Sequence, residues 1–285
     1  MACCFAKYIV PRLVQIALEE DVGAGDVTTG AVLTGEEVGS AQVVAKSTLV
    51  VAGMGVFKEV FLFVNGDLNF AGWKEDGQVA APGDILTEIC GRLSSILTAE
   101  RVALNFFQRM CGIATMTKRY VDEIRETQAK IVDTRKTVPG LRVLDRYAVR
   151  MGGGFNHRFG LYDGVLIKDN HIAAAGGISH AVARARERIP HTLKVEIEVR
   201  NLREVEEALS SEVDVIMLDN MSIGEMREAV SLVRGRIPLE ASGNVNLSNV
   251  KQIAETGVDF ISVGALTHSV TAADISLRVT GIPDS

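Results

Sequence analysis

The stretch LKVEIEVRNLREVEEALSSEVDVIMLD, residues 193–219, decides the fold class because it contains one complete β–α–β unit. Two apolar runs, LKVEIEV and DVIMLD, flank the amphipathic stretch NLREVEEALSS, which has the apolar spacing of a helix. Parallel strands need a crossover of this kind between them, and it is usually a helix. The stretch therefore predicts two parallel strands joined by a helix.

The same pattern continues through the second half of the chain, from about residue 130 onward. Short apolar runs alternate there with polar or glycine-containing turns and helical stretches. The runs are KIVDT (130–134), GVLIKD (164–169), LKVEIEV (193–199), DVIMLD (214–219), PLEASG (238–243) and DFISVG (259–264). Such units in series predict an α/β fold, either a (β/α) barrel or a doubly wound sheet.

The first 110 residues lack this rhythm and predict a separate domain in which helices and strands are mixed. The stretch 98–127 has the pattern of one long helix that links the two domains, with Thr98 as its N-cap and Arg101 in its first turn. We therefore predict an N-terminal domain over residues 1–112 and a barrel domain over residues 113–285. The C-terminal tail of the second domain could pack back on the first.

The charge of the chain is unevenly distributed. Its net charge of −6 argues against general nucleic-acid binding, which needs a basic face. Residues 133–171, however, carry seven Lys or Arg and four Asp, so this window is positive. A local positive cluster on an acidic protein indicates a pocket for a small anion.

The cysteines and the apolar runs place limits on the class of protein. Cys3, Cys4, Cys90 and Cys111 form no C-x-x-C pair, which argues against a zinc ribbon and favours free thiols in a reducing cytoplasm. The start of the chain has no clean signal-peptide core. No run approaches the length of a membrane span, so we expect no contact with a membrane.

Candidate site residues follow the predicted strands, because ligands bind at the carboxyl ends of the strands in parallel β/α architectures. The polar or small residues at these ends are Arg135, Lys136, Lys168, Glu198, Asp219, Ser242, Gly243, Asn244, Gly264 and Ala265. No Ser/His/Asp or Cys/His arrangement for a covalent nucleophile accompanies them.

The run LKVEIEV indicates a metal site. Alternation along a strand places Lys194, Glu196 and Glu198 on one face, which we expect to point into the barrel. Carboxylates are expensive to bury unless they are paired or bound to a metal. Glu198, at the open end, and Asp219 on the next strand are therefore predicted to hold Mg²⁺, directly or through water, because Mg²⁺ prefers oxygen ligands and retains water.

Two different anionic groups are predicted next to Arg135 and Lys136, because adjacent side chains on an extended backbone diverge. Arg grips a carboxylate bidentately, and Lys meets a phosphate as a point charge. His157 and Arg158 follow three glycines that let backbone approach a ligand closely. The small residues at 242–244 and 264–265 precede predicted helices, and their exposed amides are suited to a phosphate.

At this point the sequence resembles the quinolinate phosphoribosyltransferases, the carboxylating nicotinate-nucleotide pyrophosphorylases of NAD synthesis. The resemblance covers almost the whole chain in order, with residues 30–97 as the least distinctive part. The motifs that carry it are LEEDVGAGDVTT (18–29), AERVALNFFQRMCGIAT (99–115), DTRKTVPGLRVLDRYAVRMGGGFNHRFGLYDGVLIKDNH (133–171), VEIEV (195–199), MLDN (217–220), LEASGNV (239–245) and VGALTHS (263–269).

The resemblance implies an N-terminal α/β sandwich followed by an incomplete (β/α) barrel. It implies that quinolinate and phosphoribosyl pyrophosphate react, with Mg²⁺, to give nicotinate mononucleotide, pyrophosphate and CO₂. It also implies at least a homodimer with shared active sites, with a dimer and a hexamer both open.

Site roles are also implied by the resemblance, residue by residue. The residues that match the quinolinate pocket are Arg101 from the partner chain, Arg135, His157, Arg158 and Lys168. Those that match the phosphoribosyl pyrophosphate and Mg²⁺ side are Lys136, Glu198, Asp219, Ser242, Gly243, Asn244, Gly264 and Ala265. Catalytic roles fall to Lys136, Lys168, Glu198 and Asp219.

Three alternatives remain open from the sequence. A related phosphoribosyltransferase-like enzyme could act on another anionic substrate with the same fold. A Schiff-base aldolase could use Lys168 or Lys194 as its nucleophile, although this leaves Glu198 and Asp219 unexplained. An anion-binding module without catalysis would explain the cations but not the carboxylates that face the barrel interior.

Overall fold

The computed structural model describes residues 4–72 and 74–281, apart from the side chains of residues 4–6. The helices of this part are α1 (Cys4–Val22), α2 (Val27–Val32), α3 (Met54–Val64), α4 (Leu93–Glu123), α5 (Arg142–Met151), α6 (Asp169–Ala175), α7 (Ile178–Arg188), α8 (Leu202–Leu209), α9 (Ile223–Val233), α10 (Val250–Ala254) and α11 (Ala265–His268). The strands are β1 (Val38–Ala45), β2 (Leu49–Val50), β3 (Asn69–Ala71), β4 (Val79–Ala80), β5 (Ile85–Arg92), β6 (Lys130–Val132), β7 (Val165–Ile167), β8 (Val195–Val199), β9 (Val215–Asp219), β10 (Leu239–Ser242), β11 (Phe260–Ser262) and β12 (Ile275–Gly281).

The apolar runs of the second half form β6 to β11 and lie in a single sheet, as the sequence predicts. The order of this sheet is β6-β11-β10-β9-β8-β7, and each neighbouring pair runs parallel. Helices α8 and α9 follow β8 and β9, so the opening stretch is indeed a β–α–β unit. The fold is mixed α/β.

The sheet has the strand order of a barrel that does not close. Chain order β7 to β11 is continuous across the sheet, and β6 pairs with β11 at one edge while β7 lies at the other. A closed barrel would pair β6 with β7. Instead, Val132 of β6 forms an isolated parallel bridge to Phe155. This bridge brings the segment that carries His157 and Arg158 next to the end of β6.

Strand register explains which side chains share one face of the sheet. Glu198 pairs with Met217, and Met217 pairs with Glu240. Residues paired across strands project to the same face, as do residues two apart along a strand. Glu196, Glu198, Asp219, Glu240 and Ser242 therefore share a face. Glu198 and Glu240 lie at one level, Asp219 and Ser242 lie one layer nearer the strand ends, and Glu196 lies one layer deeper. The prediction that Lys194 belongs to this row is wrong, because it is exposed and precedes β8.

The N-terminal part contains a four-stranded antiparallel sheet of order β12-β1-β5-β3 and a small sheet formed by β2 and β4. Its apolar core combines side chains from the sheet with side chains from α1, α3 and α4. Phe57 and Phe61 of α3 and Phe107 of α4 are fully buried there. The ring centroid of Phe57 lies 4.9 Å from that of Phe61 and 5.1 Å from that of Phe107. Burial of such aromatic side chains is a main source of stability for this part of the chain.

Internal contacts divide the chain into two units. The first contains residues up to Met116, Pro139–Gly153 and the segment from Val270, and the second contains Thr117–Val138 and Gly154–Ser269. Two features join the separate segments of the first unit: Arg109 donates two hydrogen bonds of 2.9 Å to Asp145, and β12 pairs with β1. The predicted domain boundary at residues 112 and 113 stays a prediction.

The start of α4 differs from the prediction. The helix begins at Leu93 and not at Thr98, so Thr98 lies inside it and donates instead to Asp26 Oδ2, 3.2 Å away. Leu93 and Ile96 are buried in the apolar core, which stabilises the earlier start. Arg101 is exposed and lies past the first turn of α4.

The remaining global predictions concern cysteines and membranes. Cys90 and Cys111 are free thiols, whereas Cys3 and the side chain of Cys4 lie outside the described residues. None of the helices in the described part of the chain combines the length and apolar character that a bilayer span needs.

Candidate active site

The carboxyl edge of the parallel sheet collects most of the predicted site residues, because all of its strands end on the same side. Asp219 and Ser242 are the last residues of β9 and β10, and Glu198 is the second-last residue of β8. Lys168 directly follows β7, Arg135 and Lys136 follow β6, and Gly264 follows β11 by two residues. Arg101 belongs to the other unit and is placed on α4.

Lys168 and Glu198 form an ion pair across the ends of β7 and β8. Lys168 Nζ lies 2.7 Å from Glu198 Oε2, and the Glu198 side chain is 9% exposed while that of Lys168 is 46% exposed. A buried carboxylate needs such a partner because desolvation is costly. The structure thus joins two residues that the sequence assigns to different halves of the site.

Arg200 was not anticipated from the sequence and lies beside the predicted metal ligands. Its Nη2 donates to Asp169 Oδ2 at 2.7 Å. This hydrogen bond, and then the negative charges of Asp169, Asp219 and Glu198, raise the pKa of Arg200. Arg200 directly follows β8, so it lies just outside the run LKVEIEV that predicts this strand.

His157 lies between two buried glutamates, and neither glutamate is among the predicted site residues. His157 Nε2 is 2.9 Å from Glu196 Oε2 and 3.6 Å from Glu240 Oε2. The side chains of the three residues are 13%, 10% and 4% exposed. Glu240 lies two residues before Ser242, as Glu196 lies two residues before Glu198, so each pair shares a face of its strand. This period of two was the sequence signal that could have identified the two glutamates.

Opposing effects act on the pKa of His157. Burial acts to lower the pKa of His157, but the hydrogen bond to Glu196 and the charges of Glu240 and Glu196 raise it overall. The backbone N–H of Arg158 donates to His157 Nδ1 at 2.8 Å, so in this arrangement the ring proton is on Nε2. The carboxylates favour the imidazolium, and the Arg158 amide favours the neutral ring that donates from Nε2.

Asp133 holds the segment that carries His157. Its carboxylate is fully buried and accepts hydrogen bonds from Asn156 Nδ2 at 2.6 Å and from the backbone N–H of His157 at 2.8 Å. Asp133 directly follows β6, so the strand and the His157 segment are fixed to each other. No pattern in the sequence separates this Asp from the other acidic residues of the window.

The positive charge of Arg135 acts on the guanidinium group of Arg158. Burial, and then the charge of Arg135, lower the pKa of Arg158, while the charge of Glu196 acts in the opposite direction. Arg158 Nη1 donates to the backbone oxygen of Gly164 at 2.9 Å, which orients the side chain. Two guanidinium groups that repel each other are suited to a ligand with more than one carboxylate.

Lys136 turns toward another part of the edge. A Cβ added at Gly264 would lie 3.2 Å from Lys136 Cδ, so the lysine stem runs along this glycine. Thr267 Oγ1 donates to the backbone oxygen of Lys136 at 2.9 Å. The adjacent residues Arg135 and Lys136 therefore have different neighbours, as the sequence predicts for two anionic groups.

The segment after β10 is a turn with left-handed backbone, and the helix predicted to follow these small residues is α10. Gly243 and Asn244 have φ values of 96° and 52°, in the left-handed region, whereas α10 begins only at Val250. A Cβ at Gly243 would lie 2.2 Å from Asn220 Oδ1, and Asn220 is itself at φ 55°. Strained backbone of this kind concentrates at functional sites.

The chemistry of nucleophiles is limited in the described residues. Burial raises the pKa of the Cys111 thiol to about 12, so it is not a thiolate near neutral pH. Lys168 is held in its ion pair, and Lys194 is exposed before β8. The arrangement can bind anions and stabilise charge, and it offers no activated covalent nucleophile among these groups.

Comparison with known proteins gives consistent matches along the chain. The family model for the N-terminal domain of quinolinate phosphoribosyl transferase matches residues 26–111, and that for the C-terminal domain matches residues 113–278. A Bacillus subtilis protein named a probable carboxylating nicotinate-nucleotide pyrophosphorylase is 44% identical over 261 residues, which cover 92% of this chain and 90% of that protein. A Synechocystis protein of the same name is 44% identical over 282 residues, with 98% and 95% covered.

Solved structures agree with these matches. The nicotinate-nucleotide pyrophosphorylase from Francisella tularensis superimposes with a TM-score of 0.92 at 42% identity, covering 96% of each chain. The enzyme of that name from Ehrlichia chaffeensis gives a TM-score of 0.91 at 43% identity, covering 98% of this chain and 100% of the other.

Proposed function

Since the chain belongs to the quinolinate phosphoribosyl transferase family, we propose that it is a carboxylating nicotinate-nucleotide pyrophosphorylase. The reaction joins quinolinate to the ribosyl group of phosphoribosyl pyrophosphate and releases nicotinate mononucleotide, pyrophosphate and CO₂. It is a pentosyl transfer in the biosynthesis of NAD.

One observation carries this proposal beyond the family match. Two anion-binding groups lie at the same carboxyl edge: Arg135 with Arg158, and Lys136 along Gly264. Quinolinate brings two carboxylates, which suit paired guanidinium groups. Phosphoribosyl pyrophosphate brings phosphates, which suit a lysine and close backbone amides at Gly243, Asn244, Gly264 and Ala265.

The chain's own residues hold and orient the reacting groups. As the bond from ribose C1 to pyrophosphate breaks, positive charge develops at C1, and the buried Glu198 carboxylate is suited to stabilise it. The pyridine nitrogen of quinolinate then bonds to C1. Once alkylated, this nitrogen is cationic and accepts the electron pair left when the adjacent carboxylate departs as CO₂. A proton replaces that carboxylate on the ring carbon.

Mg²⁺ fits the donor set at the ends of β8 and β9. Glu198 and Asp219 share a face of neighbouring strands, and their oxygens are of the type that Mg²⁺ prefers. Lys168 already contacts Glu198 at 2.7 Å, which favours binding through water over a direct bond. Bound Mg²⁺ supplies positive charge to the pyrophosphate group.

The assembly and location are proposed on the resemblance and the sequence. We propose a homodimer in which Arg101 reaches the quinolinate of the partner chain, and its exposed position on α4 is compatible with this role. A hexamer built from such dimers stays open. A cytoplasmic location stays a prediction that rests on the sequence.

The competing functions meet specific obstacles. A Schiff-base aldolase would have to break the ion pair of Lys168 with Glu198 or to use the exposed Lys194. A phosphoribosyltransferase for another anion would share the phosphate side of the site, and it would differ only in what the pair Arg135 and Arg158 holds.

The test is to mix the purified protein with Mg²⁺, phosphoribosyl pyrophosphate and one pyridine acid at a time. Quinolinate should release pyrophosphate, CO₂ and nicotinate mononucleotide in equal amounts, and nicotinate should release far less pyrophosphate because it lacks the second carboxylate. Turnover with nicotinate but not with quinolinate would support the related enzyme. Absence of pyrophosphate release with both acids would reject the proposal.

A further inference from the structure

The cluster of His157, Glu196 and Glu240 is buried beside the carboxyl edge of the parallel sheet, and its two glutamates have no role in the reaction described above. One ligating atom from each residue lies within 4.8 Å of the other two. Register places Glu240 level with Glu198 and one layer below Ser242, and it places Glu196 one layer deeper still, so the cluster adjoins the site from below the strand ends.

The two glutamates are unusual because each keeps one oxygen without a hydrogen bond. Glu196 Oε1 and Glu240 Oε1 are buried and have no partner among the described residues. A charged carboxylate in this situation carries a large desolvation cost, and two of them beside one imidazole repel each other. The arrangement is therefore most stable when only one of the two is ionised.

The surroundings decide which glutamate is neutral. Burial, and then the negative charge of Glu196, raise the pKa of Glu240 to about 8. The other groups that act on Glu240 are His157 and the Ser262 hydroxyl, which lower its pKa, and Asp133, which raises it. Glu196 has the direct 2.9 Å contact with His157 Nε2, so it is the better-stabilised anion.

The cluster is connected to the predicted quinolinate pocket through Arg158. The negative charge of Glu196 and the positive charge of Arg135 both act on Arg158. The backbone N–H of Arg158 also donates to the His157 ring at 2.8 Å. The orientation of the ring, the position of Arg158 and the charge felt by a bound carboxylate are thus linked.

We propose that Glu196 and Glu240 are positioning residues of the quinolinate pocket, with Glu196 as the anion that holds His157 and Arg158, and Glu240 as a neutral carboxylic acid. Glu240 completes the packing around His157 without adding a second negative charge beside a pocket for a dianion. This inference rests on the proposed function, because it assumes that the pocket takes a dicarboxylate.

The proposal predicts the direction in which pH changes quinolinate binding. Because its pKa is raised to about 8, Glu240 is mostly neutral at pH 7 and mostly an anion at pH 9, near the cations that hold the substrate. Quinolinate is already a dianion over this range, so its binding should weaken as the pH rises. Phosphoribosyl pyrophosphate, on the Lys136 side, should be affected less.

The first test compares the wild type with Glu240→Gln, which keeps the shape of the side chain and removes its titration. From about pH 7 to about pH 9 the KM for quinolinate should rise about fivefold or more in the wild type and less than about twofold in Glu240→Gln. Glu228→Gln, at an exposed position of α9, is the matched control and should retain the wild-type rise. An equal rise in Glu240→Gln and the wild type would overturn the proposal.

The second test needs no turnover. The infrared spectrum of the wild type at pH 7 should contain the carbonyl stretch of a buried neutral carboxylic acid, and Glu240→Gln should lack this band while Glu228→Gln keeps it. Absence of the band in a folded wild type would overturn the proposal even if the enzyme is active. A wild type with the band but no turnover of quinolinate would instead reject the proposed function, and the positioning role for quinolinate with it.

Discussion

At the scale of single residues, adjacent positions in the chain acquire different chemical tasks through their neighbours. The charge of Arg135 acts on Arg158, whereas the stem of Lys136 runs along Gly264. The backbone around them is held by Thr134, whose Oγ1 accepts from the N–H of Lys136 at 3.1 Å, and by Thr267. Removal of either side chain should therefore weaken the binding of one ligand much more than that of the other.

We predict that Arg135→Ala weakens quinolinate binding by about 1.5–3 kcal/mol, which is about ten- to a hundredfold, because a charge-assisted contact is lost. Lys136→Ala should instead weaken the binding of phosphoribosyl pyrophosphate. Separate calorimetric titrations with each ligand measure the two effects. Lys251→Ala, an exposed cation on α10, controls for a general loss of positive charge. Equal losses for both ligands in Arg135→Ala would contradict the division.

At the scale of elements, strand pairing determines which carboxylates meet. Sequence alternation was sufficient to predict the row of acidic side chains on β8, and the period of the apolar runs was sufficient for the parallel strands. Because β8 and β9 pair in parallel, Glu198 and Asp219 lie at neighbouring strand ends on a shared face. Arg200 and Lys168 provide the positive charge around them.

We predict that Glu198→Gln and Asp219→Asn reduce turnover and raise the Mg²⁺ concentration needed for half-maximal activity, while quinolinate affinity stays largely intact. The reason is that each change removes a hard anionic oxygen from the proposed metal site. Glu206→Gln, exposed on α8, is a control for the loss of one acidic charge. A wild-type Mg²⁺ dependence in both site variants would remove these residues from the metal role.

The parts of the site that the sequence did not reveal depend on contacts between distant segments. Glu240 is important because β10 places it against His157, which arrives on a segment bridged to β6, and no local pattern reports that meeting. The left-handed backbone at Gly243 could not be predicted from the sequence, because it depends on a close approach to Asn220. The early start of α4 reflects burial of Leu93 and Ile96, which helix-capping preferences alone do not include.

At the scale of the whole molecule, the resemblance predicts a site that is completed by a second chain. Arg101 is exposed on α4 and belongs to the first unit, whereas the other predicted quinolinate ligands belong to the second. Most oligomers of identical chains are symmetric, so a residue that reaches into the partner's site does so twice in a dimer.

We predict that an Arg101→Ala chain and an Arg158→Ala chain, each nearly inactive alone, recover activity when mixed. A mixed dimer with composite sites places both changes in one site and leaves the other intact, so about half of the wild-type activity per mixed dimer should return. Activity is assayed after subunit exchange has been established by pull-down of a tagged chain. The matched control mixes Arg135→Ala with Arg158→Ala, which should show no recovery. A mixture of Arg101→Ala and Arg158→Ala that stays inactive after exchange would mean that Arg101 does not serve the partner.

The pairing of β12 with β1 has a consequence for synthesis on the ribosome. Ile275 pairs with Ala45, and every strand of the parallel sheet lies between these two positions in the chain. A nascent chain therefore exposes all of the parallel strands before β12 emerges, and until then one edge of β1 has no strand to pair with. Unpaired strand edges are sites where chains associate wrongly. The antiparallel sheet is thus the last part of the fold to be completed, and the unpaired edge of β1 persists until β12 emerges.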